Sequence, residues 1–343
     1  MNDNSFLDIL KSAEIEALDA APTTTWIDTG SYIFNALVSG SIYKGMPGNR
    51  AIMLAGAPSA GKSFLTLSLN KKFLQDNPTG QILYFDTEFA LEKDMLSKRD
   101  IDTSRFHIVQ TDTLQDFRTK AIKFLDNYRQ SKSKPKVMIS LDSLSNLPTQ
   151  KEVADALSGS EARDMTKAQV IRSIFRVLTH QLGVNDIPLV IANHVYSSMD
   201  MYSPVQLSGG DGAKYAASTI ITLNKSKDKD GTDVVGNIIT ATTYKSRYTK
   251  EAQKVKMKLD FQTGLDRYYG LRELGEKYDI FKKVSTRIEL PDGTKVWGKD
   301  IDNDPEKYYT KDIMDRLDEA AKEEYSLGMI DEVEEEVEIE ETE

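Results

Sequence analysis

Eight residues near the start of the chain, Gly56-Ala57-Pro58-Ser59-Ala60-Gly61-Lys62-Ser63, constrain its fold more than any other feature. They fit the pattern G-x-x-x-x-G-K-[ST], and both flanks have the form that gives this pattern meaning. Ahead lies the short apolar strand candidate 51–55 (AIMLA), and behind it residues 63–76 read as a helix opening on Phe64 and Leu65. Strand, glycine loop and helix together make a phosphate cradle. Gly56 and Gly61 admit backbone angles closed to other residues, so consecutive N–H groups can converge on an anion. The helix N-terminus adds partial positive charge. Lys62 is then placed to reach β- and γ-phosphates, and the Ser63 hydroxyl to ligate Mg²⁺. The expectation is a nucleoside-triphosphate site over Gly56–Phe64 rather than a chance glycine turn.

The rest of the chain supplies a scaffold for such a site. From about residue 26 to 270, strand candidates at 51–55, 82–86, 106–110, 137–142, 188–193, 219–224 and 238–244 alternate with helix candidates at 63–76, 91–99, 113–130 and 164–182. Short apolar strands separated by helices predict an α/β fold with a mostly parallel sheet covered on both faces, with ligands at the carboxyl ends of its strands. Residues 1–30 read as a short helical arm and linker, with Phe6, Leu7, Leu10, Ile15 and Leu18 on rough helical spacing. Thr149–Arg163 and Val195–Gly212 read as long polar or Gly/Ser-rich connections, which in a compact domain are usually functional. Asp228–Gly231 reads as a turn. Beyond 271 a helix (271–278), a hairpin around Pro291-Asp292-Gly293 and a helix (311–325) suggest a small C-terminal α/β domain over 271–330.

Composition narrows the chemistry. The chain has 343 residues and no cysteine, which excludes disulfides and thiolate metal sites. His107, His180 and His194 are scattered, against a zinc site. There is no signal-peptide pattern at the N-terminus, and no apolar run nears the ~20 residues that span a bilayer. A soluble cytoplasmic protein without a membrane partner is expected. The net charge of −10 is concentrated in 331–343 (DEVEEEVEIEETE), which holds nine acids and no base, so the remainder carries only −1. A like-charge run of this kind is expected to be disordered. It serves either as a solubilising tail or as a polyanion mimic that competes for a basic groove.

Two further strands end in acids. Val137–Asp142 closes on Asp142, the carboxylate a phosphate-loop ATPase needs to hold a water on Mg²⁺. Ile82–Asp86 runs into Thr87 and Glu88, and Glu88 is the candidate to position or deprotonate the attacking water. Asp86 is assigned a supporting role.

Taken in order, GAPSAGKS, YFDTE, SLDSL, IANH and a loop ending in Ser208-Gly209-Gly210 resemble the RecA-type recombinases, and within them the UvsX recombinases of tailed phages. Lys214–Ser218 and Lys245-Ser246-Arg247 add to the likeness, which covers about 31–330; the acidic tail is also typical. The resemblance implies a RecA-like ATPase core at 31–270, ATP and Mg²⁺ as cofactors, and Glu88 as the catalytic glutamate. It makes His194 the sensor of the γ-phosphate, and Lys245 and Arg247 the basic pair that reaches a neighbouring subunit's ATP. It assigns 149–163 and 195–210 to two DNA-binding loops. There Gly209 and Gly210 permit close approach to phosphate, while Met199, Met201, Tyr202 and Val205 offer wedges or stacking surfaces. Of the bases on the helix after the first loop (Arg163, Lys167, Arg172, Arg176), Arg163 and Arg176 are favoured as DNA contacts. An aromatic residue that many relatives stack on adenine falls near Met95 here, with Glu92 or Arg99 as alternative contributors.

The expected activity is ATP-dependent strand exchange on single- and double-stranded DNA by head-to-tail helical filaments, with a single-strand-binding protein and a mediator as partners. The setting would be the cytoplasm of a phage-infected bacterium. A ring-forming replicative helicase of the same superfamily is the main alternative, and a nucleotide-binding regulator that ignores DNA is the second.

Overall fold

The computed structural model describes residues 25–160, 164–196 and 206–327. Residues 1–24, Arg163, Met199, Met201, Tyr202, Val205 and the acidic segment 331–343 lie outside them.

The central strands are β1 (Ala51–Gly56), β2 (Gln81–Asp86), β3 (Phe106–Gln110), β4 (Val137–Asp142), β5 (Leu189–Tyr196), β6 (Thr219–Asp230), β7 (Asp233–Lys245) and β8 (Lys254–Asp260). In space they run β3-β2-β4-β5-β1-β6-β7-β8, with Gly264–Leu265 beside β8 and Gln206–Leu207 beside β5. The first six are parallel. The extension through β7 and β8 is antiparallel. Parallel strands must be covered on both faces, and their alternation shows it. Ile52 and Leu54 of β1 enter one apolar cluster, and Ala51, Met53 and Ala55 enter the other.

Helices α1 (Tyr32–Ser39) and α2 (Lys62–Asp76) cover the first face through residues such as Phe34, Leu37, Leu65 and Phe73. On the second face lie α3 (Leu114–Gln130) and α5 (Lys167–Asn185), using Phe117, Leu125, Ile171, Phe175 and Leu178. Between α3 and α5 comes α4 (Gln150–Leu157), and α6 (Gly210–Ala216) packs on α5. Farther on, α7 (Leu271–Lys277) and α8 (Lys311–Tyr325) flank a three-stranded antiparallel sheet, Lys282–Val284, Arg287–Glu289 and Lys295–Val296. Leu271, Leu274, Ile313 and Leu317 join the first-face cluster. Asp318 of α8 accepts from the Ser41 hydroxyl (2.6 Å) and the Ile42 N–H (2.9 Å), which ties this region to the end of α1.

Three local readings of the sequence need correction. Residues 149–160 are not a structureless connection: Thr149 caps α4 through a reciprocal box with Glu152. The Thr149 hydroxyl also donates to Asp164 (2.5 Å), so the two ends of this excursion are pinned together. The stretch to Gly212 contains the end of β5, a short strand and the first turn of α6. Lys254–Asp260 is a strand whose alternation puts Val255, Met257 and Leu259 inside.

Candidate active site

Register brings the chemistry to one edge of the sheet. Gly56 of β1 stands opposite His194 of β5, and Asp86 of β2 opposite Asp142 of β4. The phosphate loop, both carboxylate-bearing strand ends and the histidine thus share the carboxyl end of the parallel sheet.

The loop turns through Ser59 at φ 61° and Gly61 at φ 97°. A side chain at Gly56 would place its Cβ 2.8 Å from the Leu223 carbonyl oxygen, so only glycine fits the close approach of β1 and β6. Ala57, Pro58 and Ser59 are exposed at the rim and Ala60 is buried beneath them. Lys62 is buried at 6% exposure and donates to the carbonyls of Gly56 (3.0 Å) and Ala57 (2.9 Å). Its ammonium also stands 3.4 Å from His194 Nδ1. Burial lowers the Lys62 pKa, while Asp142 and Glu88 pull it back up.

Asp142 is buried, and burial raises its pKa against the lowering effect of the Ser63 and Tyr84 hydroxyls beside it. Tyr84 donates to Oδ2 at 2.8 Å, whereas Oδ1 is a buried oxygen without a hydrogen-bond partner. A carboxylate with one orphaned oxygen beside a serine hydroxyl is a hard-oxygen donor set, which fits Mg²⁺. Among the described residues no group of three acidic or imidazole side chains could hold a metal alone. The ion would therefore take its remaining ligands from phosphate and water.

Glu88 projects from the turn after β2, followed by Phe89 at φ 53°. Asp86 holds this turn by accepting from the N–H groups of Glu88 and Leu91, both at 3.1 Å. Glu88 Oε1 accepts from Asn146 Nδ2 (3.0 Å) and Ser143 Oγ (3.4 Å), and lies 3.8 Å from His194 Nε2. Burial first, then the Lys62 ammonium, lowers the His194 pKa, with Glu88 opposing.

His194 leads directly to the second loop. Its carbonyl accepts from the Ser208 N–H (2.9 Å), and neighbouring Asn193 donates to the Ser208 carbonyl (2.9 Å). Ser208 is buried, Gly209 (φ 84°) is the N-cap of α6, and Gly210 (φ 57°) faces open space. Arg176 is exposed on α5, and Arg172 on the same helix stacks 5.0 Å over Tyr215 of α6. Met165, 82% exposed at the start of α5, and Tyr215, 67% exposed, offer apolar surface here that the sequence reading missed.

Lys245 and Arg247 are not with this group. Lys245 pairs with Ile220, which in turn pairs with Met53, three residues toward the amino end of β1 from Gly56. The Lys245 ammonium donates to the carbonyls of Lys214 (2.7 Å) and Ala217 (2.9 Å) at the end of α6, and Arg247 is exposed. Burial, then Arg247, lowers the Lys245 pKa.

A cavity of about 960 Å³ begins at Gly61 and Phe64 and runs along α2. Arg99 forms part of one wall, its guanidinium 5.5 Å over the Phe64 ring, and Phe261, Gln262 and Thr263 line the cavity as well. Met95 is half-buried against the core, whereas Phe261 is 61% exposed.

This assembly agrees with what comparison of the whole chain finds. The RecA N-terminal domain family matches residues 15–266. This chain belongs to the RecA family. It is 31% identical over 242 residues to the recombination and repair protein of Enterobacteria phage T4, an alignment covering 71% of this chain and 61% of the phage protein. To the RecA protein of Clavibacter michiganensis it is 26% identical over 274 residues, covering 76% of this chain and 72% of that relative. With the RecA protein of Streptomyces venezuelae the figures are 23% over 297 residues, 83% and 73%. As a RecA-family member it has the α/β core expected from its strand and helix pattern. No helix among the described residues is long and apolar enough to cross a membrane.

Proposed function

We propose that the chain is an ATP-dependent DNA recombinase that forms helical filaments on single-stranded DNA and carries out homologous pairing and strand exchange. The observation that carries this reading is the backbone link from His194 to Ser208. It joins the phosphate site to Ser208, near the end of the second candidate DNA loop. The phage relative named for recombination and repair supports the same reading.

In this account Gly56–Phe64 hold the triphosphate, and Lys62 leaves its carbonyl partners to meet the β- and γ-phosphates. Ser63 and Asp142 would hold Mg²⁺, which when bound neutralises charge on the phosphate oxygens. The base occupies the cavity between Phe64 with Arg99 and the segment 261–263. Glu88 orients a water whose oxygen bonds to the γ-phosphorus as the bond to the bridging oxygen breaks. ADP and phosphate leave, and Glu88 takes the water proton. His194 reports the state of the γ-phosphate to Ser208 and the second loop.

Lys245 is held by carbonyls at the end of α6 and Arg247 is exposed, which suits a role at the ATP of an adjacent copy. A head-to-tail interface that does not close gives a filament. DNA would contact Ser208, Gly209, Gly210 and Arg176, together with Arg163, Met199, Met201 and Tyr202. Residues 1–30 would serve assembly, 31–270 the ATPase core, 271–330 a small C-terminal domain and 331–343 an acidic tail. A single-strand-binding protein and a mediator are the further partners this reading implies.

The test is strand exchange between circular single-stranded DNA and a homologous linear duplex, with ATP and with Lys62→Ala as control. Joint molecules formed by the wild type alone are expected. Unwinding of a forked duplex without homologous pairing would assign the chain to the helicases instead.

A further inference from the structure

We propose that Asn146 is a positioning residue for Glu88, carried on the segment that leads into the first candidate DNA loop. This rests on the reading of Glu88 as the group that orients the attacking water. The two residues are 58 positions apart in sequence, yet Asn146 Nδ2 donates to Glu88 Oε1 at 3.0 Å, the shortest side-chain contact the carboxylate makes. A carboxylate only accepts, so the amide must present its nitrogen, and the bond is a charge-assisted one. Ser143 Oγ reaches the same oxygen at 3.4 Å and His194 Nε2 stands at 3.8 Å, so Oε1 is the anchored atom. Glu88 lies on a turn with Phe89 in the left-handed region, and its side chain keeps 36% exposure.

Asn146 itself is well placed for this task. It ends a tight turn, Leu144–Asn146, whose flanking Leu144 and Leu147 are buried. Three residues later Thr149 caps α4 and hydrogen-bonds Asp164 at the far end of the loop excursion. The side chain that steadies Glu88 therefore stands three residues before the Thr149–Asp164 contact. An exposed asparagine with only a packing role would have no reason to spend its amide on this one oxygen.

The experiment is steady-state ATP hydrolysis by the full chain with saturating long single-stranded DNA, comparing Asn146→Ala, Asn146→Asp and Glu88→Gln, with thermal melting of each. Asp is nearly isosteric with Asn but replaces the donor by a like charge beside Glu88. Asn146→Ala is expected to lower kcat about tenfold, the rate equivalent of one hydrogen bond to a charged group, while KM for ATP stays within about twofold. Asn146→Asp is expected to be slower than the alanine variant, the reverse of what a packing role would give. Wild-type kcat in Asn146→Ala, or an aspartate variant as fast as the alanine one, overturns the proposal. If the alanine variant does not fold, wild-type kcat in Asn146→Asp overturns it equally. Glu88→Gln separates the two readings: if it hydrolyses ATP at the wild-type rate, the role of Glu88 itself has failed.

Discussion

Helices α5 and α6 meet through a glycine, and that contact gives a sharp prediction. A Cβ at Gly212 would lie 2.3 Å from the Ala168 carbonyl oxygen and 3.2 Å from its carbonyl carbon. Ordinary contact begins at 3.4 Å, so Gly212→Ala must open the helix pair by about 1 Å against backbone atoms that cannot rotate away. Overpacking of this kind costs about 1–3 kcal/mol. At about 2–4 °C per kcal/mol, melting should fall by about 2–12 °C. Gly183 of α5 is the control: a Cβ there meets nothing within 4 Å, and its helical backbone needs no glycine. Gly183→Ala should stabilise by about 0.5–1 kcal/mol. Two identical substitutions on one helix pair then move melting in opposite directions, read by calorimetry or circular dichroism. Because α6 begins at Gly210 and carries one of the two carbonyls that receive Lys245, Gly212→Ala should also blunt DNA-stimulated hydrolysis. A melting temperature at or above wild type for Gly212→Ala would refute the reasoning.

Two other perturbations follow from the site and the tail. Burial and Lys62 hold the His194 pKa below its ordinary 6.5, so as pH falls the unfolded chain takes up this proton before the folded one. That contribution is present above about pH 6.5 and is lost as pH falls toward the folded value. His194→Gln cannot titrate and should lose less melting temperature than wild type between pH 7 and pH 5; equal losses would contradict the depressed pKa. Removing 331–343 takes away nine acids and should tighten duplex DNA binding in a salt titration, whereas identical curves would leave the tail a solubilising role alone.

The parts of this fold that were legible in sequence are those written locally. The glycine loop, the apolar strands and the acids at their ends sit within a few residues of one another, and parallel register then aligns Gly56, His194, Asp86 and Asp142. The helix α4 was missed because it buries no residue, so its sequence carries no core stripe. The strand β8 is absent from the strand candidates although Val255, Met257 and Leu259 alternate with its lysines. Glycines at 209, 210 and 212 read as loop, whereas Gly212 is there for close helix packing. The bond from Asn146 to Glu88 joins segments that only the sheet brings together, and no spacing rule encodes it. Nothing local in the sequence shows that Lys245 is held by two carbonyls of its own chain.

The central claim is that ATP hydrolysis at Lys62 and Glu88 is coupled to DNA in a filament. The most direct measurement is hydrolysis with and without long single-stranded DNA, with Lys62→Ala as control and the same samples imaged by negative-stain electron microscopy. The account predicts strong stimulation by DNA, helical filaments in the stimulated samples, and loss of hydrolysis in the variant. Hydrolysis indifferent to DNA, or stimulation accompanied by closed rings, would contradict it.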